Sequence, residues 1–402
     1  MLKTRGQLVL TETSTGVRVE AAGCVGVARL QALSVVVEPR LLDGHKNLVR
    51  LLDFVHGLGL LRRLRERATF DAEGTDLFDL VAWLLADACD EVLRVGVHAD
   101  YLPQHEELTT LRGRIDVRTQ VLRRWGRVDR LACDFDERSR EVVENRWLLR
   151  ALRIARRGVR TPSVATLVKR TDEVWSELCS DDATEALVRP ERTRQTAHYA
   201  GALALAQMVC DGQTVSNPLA GGGAAGFSFL LDMPRLFEDF VATVLERALS
   251  TPPFGVHRQP RERSILWDPD ANRSYGHVRP DILLRTGDGR CLPVDAKYKN
   301  YSRARLQPAD LYQGAVYALS LASAGGDGVR RTVMLYPRPA QELPQDALRV
   351  QVRTSASGIA EVSLLGVNVE ALLTHAMAGA EAGRVVDHLC ASAGPELLSV
   401  AV

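Results

Sequence analysis

Residues 277–317 constrain this chain more than any other stretch. Arg279-Pro280-Asp281-Ile282-Leu283-Leu284 and Leu292-Pro293-Val294-Asp295-Ala296-Lys297 flank Asp288-Gly289, and an Asp-Gly step between two apolar runs is the strongest short-range hairpin signal. Two antiparallel strands are expected. Side chains alternate along a strand, so Asp295 and Lys297 emerge on one face and Val294 and Ala296 on the other. The facing strand brings Asp281 beside them. Two carboxylates and an ammonium at one sheet edge form a chemical unit: the acids hold a hard divalent cation, and the lysine orients or activates a water. A solvated charge pair on a half-exposed strand is the bland alternative.

The neighbouring segments favour the chemical reading. After Pro308, a first-turn proline, Leu311, Ala315, Ala318 and Leu319 form an apolar helical stripe, while Asp310, Gln313 and Tyr317 fall on another face at i, i+3 and i+7. Upstream, Phe237, Phe240, Val241, Val244, Leu245 and Ala248 follow the template of an amphipathic helix. Glu238 borders that stripe. Pro-Asp followed by Asp-x-Lys resembles the signature of the PD-(D/E)XK nuclease superfamily, and Gln313-x-x-x-Tyr317 resembles the element that accompanies it in RecB-like members. In that resemblance Glu238 takes the place of a first-helix acid able to add a metal ligand. An ordinary exposed helix glutamate is the competing reading.

A chain of 402 residues is long enough for two or three domains. Its 46% apolar and 25% charged content is that of an ordinary globular protein. A formal charge of +1 leaves any nucleic-acid contact to local patches. The seven scattered cysteines form no C-x-x-C pair, which excludes a zinc ribbon or a disulfide framework and suits reduced thiols. No leader-like apolar region follows Met1 and no run reaches the length of a membrane span, so cytoplasmic residence and no membrane partner are expected.

Along the chain, short strands are expected at 7–10, 17–20 and 33–40, then helices at 46–66 and 75–95. Residues 111–118 alternate polar with apolar and read as a strand or loop entry. Arg123, Arg124, Arg127 and Arg130 make a basic stretch, either a solvated face or a phosphate or partner contact. A long amphipathic helix is expected to open at Asp136, and further helices at 163–180 and 192–212. The glycine-rich run 217–226 is a linker; no Gly-Lys-Ser/Thr follows it, so it is not a nucleotide loop. His98 and His105 read as loop histidines without metal-ligand spacing. His277 is either a further ligand or a hydrogen-bonded neighbour of the site.

The fold class that follows is an α+β N-terminal region with a helical middle and a C-terminal α/β domain with a central mixed sheet. Strands are expected near 256–260, 263–267, 278–285, 291–297, 331–336, 347–353 and 360–364, with helices at 234–249, 309–322, 367–378 and 380–392. The divisions are 1–135, 136–226 and 227–402.

The motifs as a set resemble the McrC family, the endonuclease subunit of modification-dependent restriction systems. The residues that carry the likeness are 231–241, His277-Val278-Arg279-Pro280-Asp281, Val294-Asp295-Ala296-Lys297-Tyr298-Lys299 and Asp310-Leu311-Tyr312-Gln313. In the front half, Val37-Glu38-Pro39-Arg40, Leu111-Arg112-Gly113-Arg114-Ile115-Asp116 and Glu144-Asn145-Arg146 fit the same family more loosely, with Arg40 where a lysine is expected. The resemblance implies a PD-(D/E)XK endonuclease domain in 227–402 that cuts modified or foreign DNA with Mg²⁺. It also implies a front region, 1–135, that docks on an McrB-like AAA+ GTPase ring and stimulates its hydrolysis. Asp281 and Asp295 would hold the metal, with the Ala296 carbonyl and Glu238 completing its shell. Lys297, Gln313 and Tyr317 would serve the reaction, and Lys299, Arg303 and Arg305 would contact phosphates. Two other readings stay open: a stand-alone RecB-like nuclease or resolvase, and a non-catalytic activator of a AAA+ partner.

Overall fold

The computed structural model describes residues 7–14, 16–29, 34–39, 44–57, 76–123, 125, 129–181, 188–190, 193–212, 227–249, 254–260, 262–299, 301, 306–325, 327–339, 341–353, 359–374 and 380–393. Arg40, Arg124, Arg127, Arg303, Arg305 and the glycine-rich run 217–226 lie outside them. The chain forms two compact units. The first gathers residues 1–26, 36–62 and 230–402, and the second residues 27–35 and 63–229. This differs from the three consecutive segments expected, because residues 1–26 and 36–62 fall with the C-terminal part. β3 (Cys24–Arg29), β4 (Ser34–Val37) and β8 (Phe227–Asp232) carry the chain from one unit to the other.

The first unit opens with the hairpin β1 (Gln7–Thr13) and β2 (Gly16–Ala22). Helix α1 (Gly44–His56) follows and stops at Gly57, whose φ of 63° suits a residue without Cβ. It packs on α7 (Met233–Ala248), with the rings of Phe54 and Phe240 5.4 Å apart. Asp232 caps α7 by accepting the Arg235 N–H at 3.1 Å, and Phe237, Phe240, Val241, Val244 and Leu245 form its buried stripe as their spacing predicts.

The rest of this unit is a six-stranded mixed sheet, ordered β15-β16-β14-β13-β12-β9. Its strands are β9 (Phe254–Arg258), β12 (Ile282–Thr286), β13 (Cys291–Ala296), β14 (Val329–Arg338), β15 (Leu348–Arg353) and β16 (Ile359–Asn368). β13, β14 and β16 run parallel, and antiparallel strands flank them. The parallel strands are nearly continuously buried, as a sheet covered on both faces requires. α8 (Pro308–Leu321) sets Ala315 and Leu311 against Met334, Tyr336, Val362 and Leu364. Leu319, expected in its apolar stripe, is exposed instead. α10 (Ala380–Ala393) covers the opposite face, where Ser363 and His388 meet at 2.8 Å, since Ser363 alternates with Val362 and Leu364. A short α9 (Val369–Thr374) precedes it. β10 (Glu262–Asp268) and β11 (Arg273–Val278) form a separate two-stranded ribbon, so the strand expected at 278–285 is two strands broken at Arg279-Pro280-Asp281.

The second unit packs α2 (Leu77–Val95), α4 (Val143–Gly158), α5 (Pro162–Ser176) and α6 (Ala200–Gly212) together. A three-stranded sheet of β5 (Asp100–Leu108), β7 (Leu131–Ser139) and β6 (Arg114–Ile115) accompanies them. Two expectations fail here, and one, the strand or loop entry at 111–118, holds except at its end. His105 lies on strand β5, its Nδ1 2.6 Å from Asp134 Oδ1. Residues 111–118 divide into β6 and the start of α3 (Val117–Arg123). The helix expected from Asp136 begins only at Val143, because residues up to Ser139 are held by β5 in an unbroken register from Leu108↔Leu131 to Asp100↔Ser139. No helix among the described residues is long and apolar enough to cross a membrane.

Candidate active site

The site grows from the β12–β13 hairpin. Gly289 takes φ 85° in its turn and donates its N–H to Thr286 O at 2.9 Å, while the Thr286 N–H reaches Arg290 O at 2.9 Å. That turn fixes the register at Ile282↔Val294, and one step beyond it Asp281 stands opposite Asp295. Like charges directly across a strand pair are destabilising. Asp281 is 6% exposed and Asp295 1% exposed, so water does little to relieve the repulsion.

The surroundings answer part of that cost. Asp281 Oδ2 accepts the Ala296 N–H at 2.9 Å, and the Asp281 carbonyl accepts the Gln259 N–H at 2.7 Å. The Lys297 ammonium lies 2.7 Å from Asp295 Oδ2 and donates to Gln313 Oε1 at 2.9 Å. Gln313 Nε2 donates to the Tyr317 hydroxyl at 2.6 Å, which donates in turn to the Arg279 carbonyl at 2.9 Å. The helical spacing of Gln313 and Tyr317 thus becomes one continuous path between Lys297 and the strand entry at Asp281.

Burial, reinforced by the neighbouring Asp281 carboxylate, pushes the Asp295 carboxyl up to about 7. Burial works against the Lys297 ammonium too, but Asp295, then Asp281 and Asp310, outweigh it and hold Lys297 above its ordinary value. Burial, helped by Asp295, raises the Tyr317 phenol far above its usual range, so it stays protonated and able to donate.

A hard divalent cation suits this donor set. Asp295 Oδ2 is buried and faces the Lys297 ammonium at 2.7 Å as an ion pair. Two adjacent buried carboxylates need either a shared proton or a cation between them, and Mg²⁺ is bound by few protein oxygens while retaining waters. Among the described residues no three His, Cys, Asp or Glu side chains converge as a metal group. Glu238 therefore completes no three-acid cluster; its carboxylate accepts from Gln259 Nε2 at 3.5 Å and lies within electrostatic range of Tyr317. His277 is exposed on β11.

Lys299 departs from the free phosphate contact that its spacing suggests. Its ammonium is 2.7 Å from Asp310 Oδ2 and donates to Gln307 Oε1 at 2.9 Å. Sequence spacing also misses Gln259, which joins Asp281, Glu238 and, through its side-chain carbonyl, Arg279. Gln259 holds φ 43°, a strained backbone for a residue with a Cβ. No local pattern marks such a position.

The model of the family described as "McrBC 5-methylcytosine restriction system component" matches residues 19–337. The chain belongs to the McrBC family. Among curated proteins none matches it. Of solved structures, a chain of the refined half-complex from the tetradecameric assembly of Thermococcus gammatolerans McrB AAA+ hexamers with bound McrC is similar over 89% of this chain and 80% of that one. The identity there is 19% and the TM-score 0.56. The cryo-EM structure of the Thermococcus gammatolerans McrBC complex is similar over 60% of this chain and 71% of that one, with 20% identity and a TM-score of 0.43. The first likeness places the fold of this McrBC family member beside a chain of such an assembly.

Proposed function

We propose that this chain is the Mg²⁺-dependent DNA endonuclease subunit of a modification-dependent restriction system, with 227–402 as a PD-(D/E)XK domain, acting with an McrB-like AAA+ GTPase. The observation that carries the reading is the convergence of Asp281, Asp295 and Lys297 at one end of a mixed sheet, with two buried acids face to face and an ammonium 2.7 Å from one of them. A structural ion pair requires one acid, not two. The second makes sense where a cation is to be held.

Asp281 and Asp295, with the Ala296 carbonyl, are the residues that would hold Mg²⁺, and Glu238, turned to Gln259, stays outside that set. When bound, the ion supplies a Lewis acid to the scissile phosphate and lowers the pKa of the attacking water. Lys297 is fixed beside that position by Gln313, where its charge orients the water or stabilises the negative charge that develops on phosphorus. Tyr317 holds the Gln313 amide and thereby the direction of Lys297. Arg303 and Arg305 are the phosphate contacts in this reading, and Lys299, held by Asp310 and Gln307, is not one.

The partner is proposed on two grounds. The family description and the assembly named for the similar structure point to an McrB-like ring, and the second unit carries an apolar surface suited to a protein contact. α3 buries no residue, and Leu111, Val117, Leu122 and Trp125 are exposed around it. Asp281→Ala and Lys297→Ala are expected to reduce Mg²⁺-dependent cleavage of plasmid DNA to background while stimulation of partner GTP hydrolysis persists. Either variant cutting at the wild-type rate removes the nuclease assignment. Cleavage by the purified chain alone, without a nucleotide hydrolase, favours the stand-alone nuclease instead.

A further inference from the structure

Asp310 is 6% exposed and accepts from two side chains of the segment that leaves β13. Its Oδ2 lies 2.7 Å from the Lys299 ammonium and accepts the Tyr301 hydroxyl. The Lys299 N–H in turn donates to the Lys297 carbonyl at 2.8 Å, so anchoring Lys299 fixes the backbone of Lys297. On the other side, the Tyr298 ring stands 6.0 Å from Phe237 of α7, which leaves 297 and 299 to α8.

Asp310, Gln313 and Tyr317 therefore touch three successive points around the two acids: Lys299 with Tyr301, then Lys297, then the Arg279 carbonyl two residues before Asp281. Gln313 and Tyr317 alone grip Lys297 only at its flexible tip. We infer that Asp310 is a positioning residue for the proposed hydrolysis, holding the turn after β13 against the first turn of α8 so that the Lys297 ammonium is aimed by Gln313. This rests on the nuclease reading above.

The experiment measures single-turnover cleavage of 5-methylcytosine-containing and unmethylated plasmid DNA by the full chain with its AAA+ partner, across Mg²⁺ concentrations, with a thermal melt for each variant. Asp310→Asn keeps the shape and removes the charge. It is expected to lower the cleavage rate constant about 10–100-fold, as for loss of an outer hydrogen-bond partner of a metal site, with the Mg²⁺ half-saturation unchanged and Asp310→Glu recovering part of the rate. Lys299→Met is expected to lower it similarly, and the double variant to be no worse than either single one, because one path is cut twice. Wild-type rates in Asp310→Asn, or losses that add independently, overturn the inference. Should Asp310→Asn fail to fold, Lys299→Met and Tyr301→Phe, which keep the carboxylate, decide it: a reduced rate supports the anchor and an unchanged rate overturns it. Asp295→Asn separates the two levels. If wild type cuts and Asp295→Asn does not, a failure at Asp310 belongs to this inference alone, whereas a wild type that never cuts overturns both.

Discussion

At Asp295 the chemistry proposed for the site and the stability of the fold oppose one another. Its carboxyl is pushed from about 4 in an unfolded chain to about 7 by burial and the facing Asp281. A folded-state value raised this way gives stability that is complete below about pH 4 and is lost as pH rises through 7, at up to about 1.4 kcal/mol per pH unit. The metal-free protein is thus expected to melt at lower temperature at pH 8 than at pH 6, and Mg²⁺ to raise the midpoint more at pH 8, where no proton has to leave first. Calorimetric melts with EDTA and with Mg²⁺ at the two pH values check this, and Asp295→Asn should abolish the Mg²⁺ increment. The five residues Asp281, Asp295, Lys297, Gln313 and Tyr317 were legible because a hairpin turn with strand and helix periods gathers them and the family resemblance singles them out. Asp310 shared their helical spacing, but its hold on Lys299 crosses eleven residues of chain and has no period to betray it. Gln259 depends on a positive φ that no pattern announces.

At the scale of elements, the site depends on how closely α8 lies on the sheet. A Cβ on Gly314 would stand 2.7 Å from Met334 Cε and 3.0 Å from Val362 Cγ1, so only glycine permits this approach without displacement. Gly314→Val is expected to lose about 1–3 kcal/mol through overpacking and to slow cleavage further than stability explains, since the adjacent Gln313 is lifted from Lys297. Denaturant midpoints and cleavage rates measured on the same preparation separate the two effects. Trp125 beside α3 offers the opposite case. It is 81% exposed, so Trp125→Ala should leave stability within about 0.5 kcal/mol while costing about 2 kcal/mol of partner affinity if it anchors the contact; stimulation of GTP hydrolysis against protein concentration reads it. Elements with their own periodicity, α7 and α8 above all, were legible to within a residue or two. β5 and β7 were not, because charged residues such as Glu106, Glu107, Asp136 and Glu137 hide a pairing that joins segments about thirty residues apart.

The whole molecule turns on a return of the chain that sequence order conceals. A glycine-rich break at 217–226 invites a boundary there and a self-sufficient C-terminal domain. Compactness instead puts residues 36–62 with 230–402, for a reason found in the packing of two helices nearly two hundred residues apart. Leu48, Leu51 and Leu52 of α1 are buried, Phe54 meets Phe240, and Arg247 lies 4.1 Å over the Phe54 ring. Arg50 also donates to Thr374 Oγ1 at 2.8 Å. Periodicity marks α1 as amphipathic but is silent on which helix it covers. Each buried leucine is worth roughly 1.5–3 kcal/mol, and that is comparable with the whole margin of a typical domain, ~5–15 kcal/mol. A fragment of residues 227–402 is therefore expected to melt well below the intact chain and to associate through the uncovered face of α7, whereas the same fragment joined by a flexible linker to residues 36–62 should recover most of the loss. Melting temperature and sedimentation of the two fragments test it: equal behaviour would mean that α1 merely rests on α7. Because α7 also carries Phe237, which packs on Tyr298 beside Lys297, the fragment lacking α1 should bind Mg²⁺ more weakly even where it stays folded, tying the front of the chain to the site by packing alone.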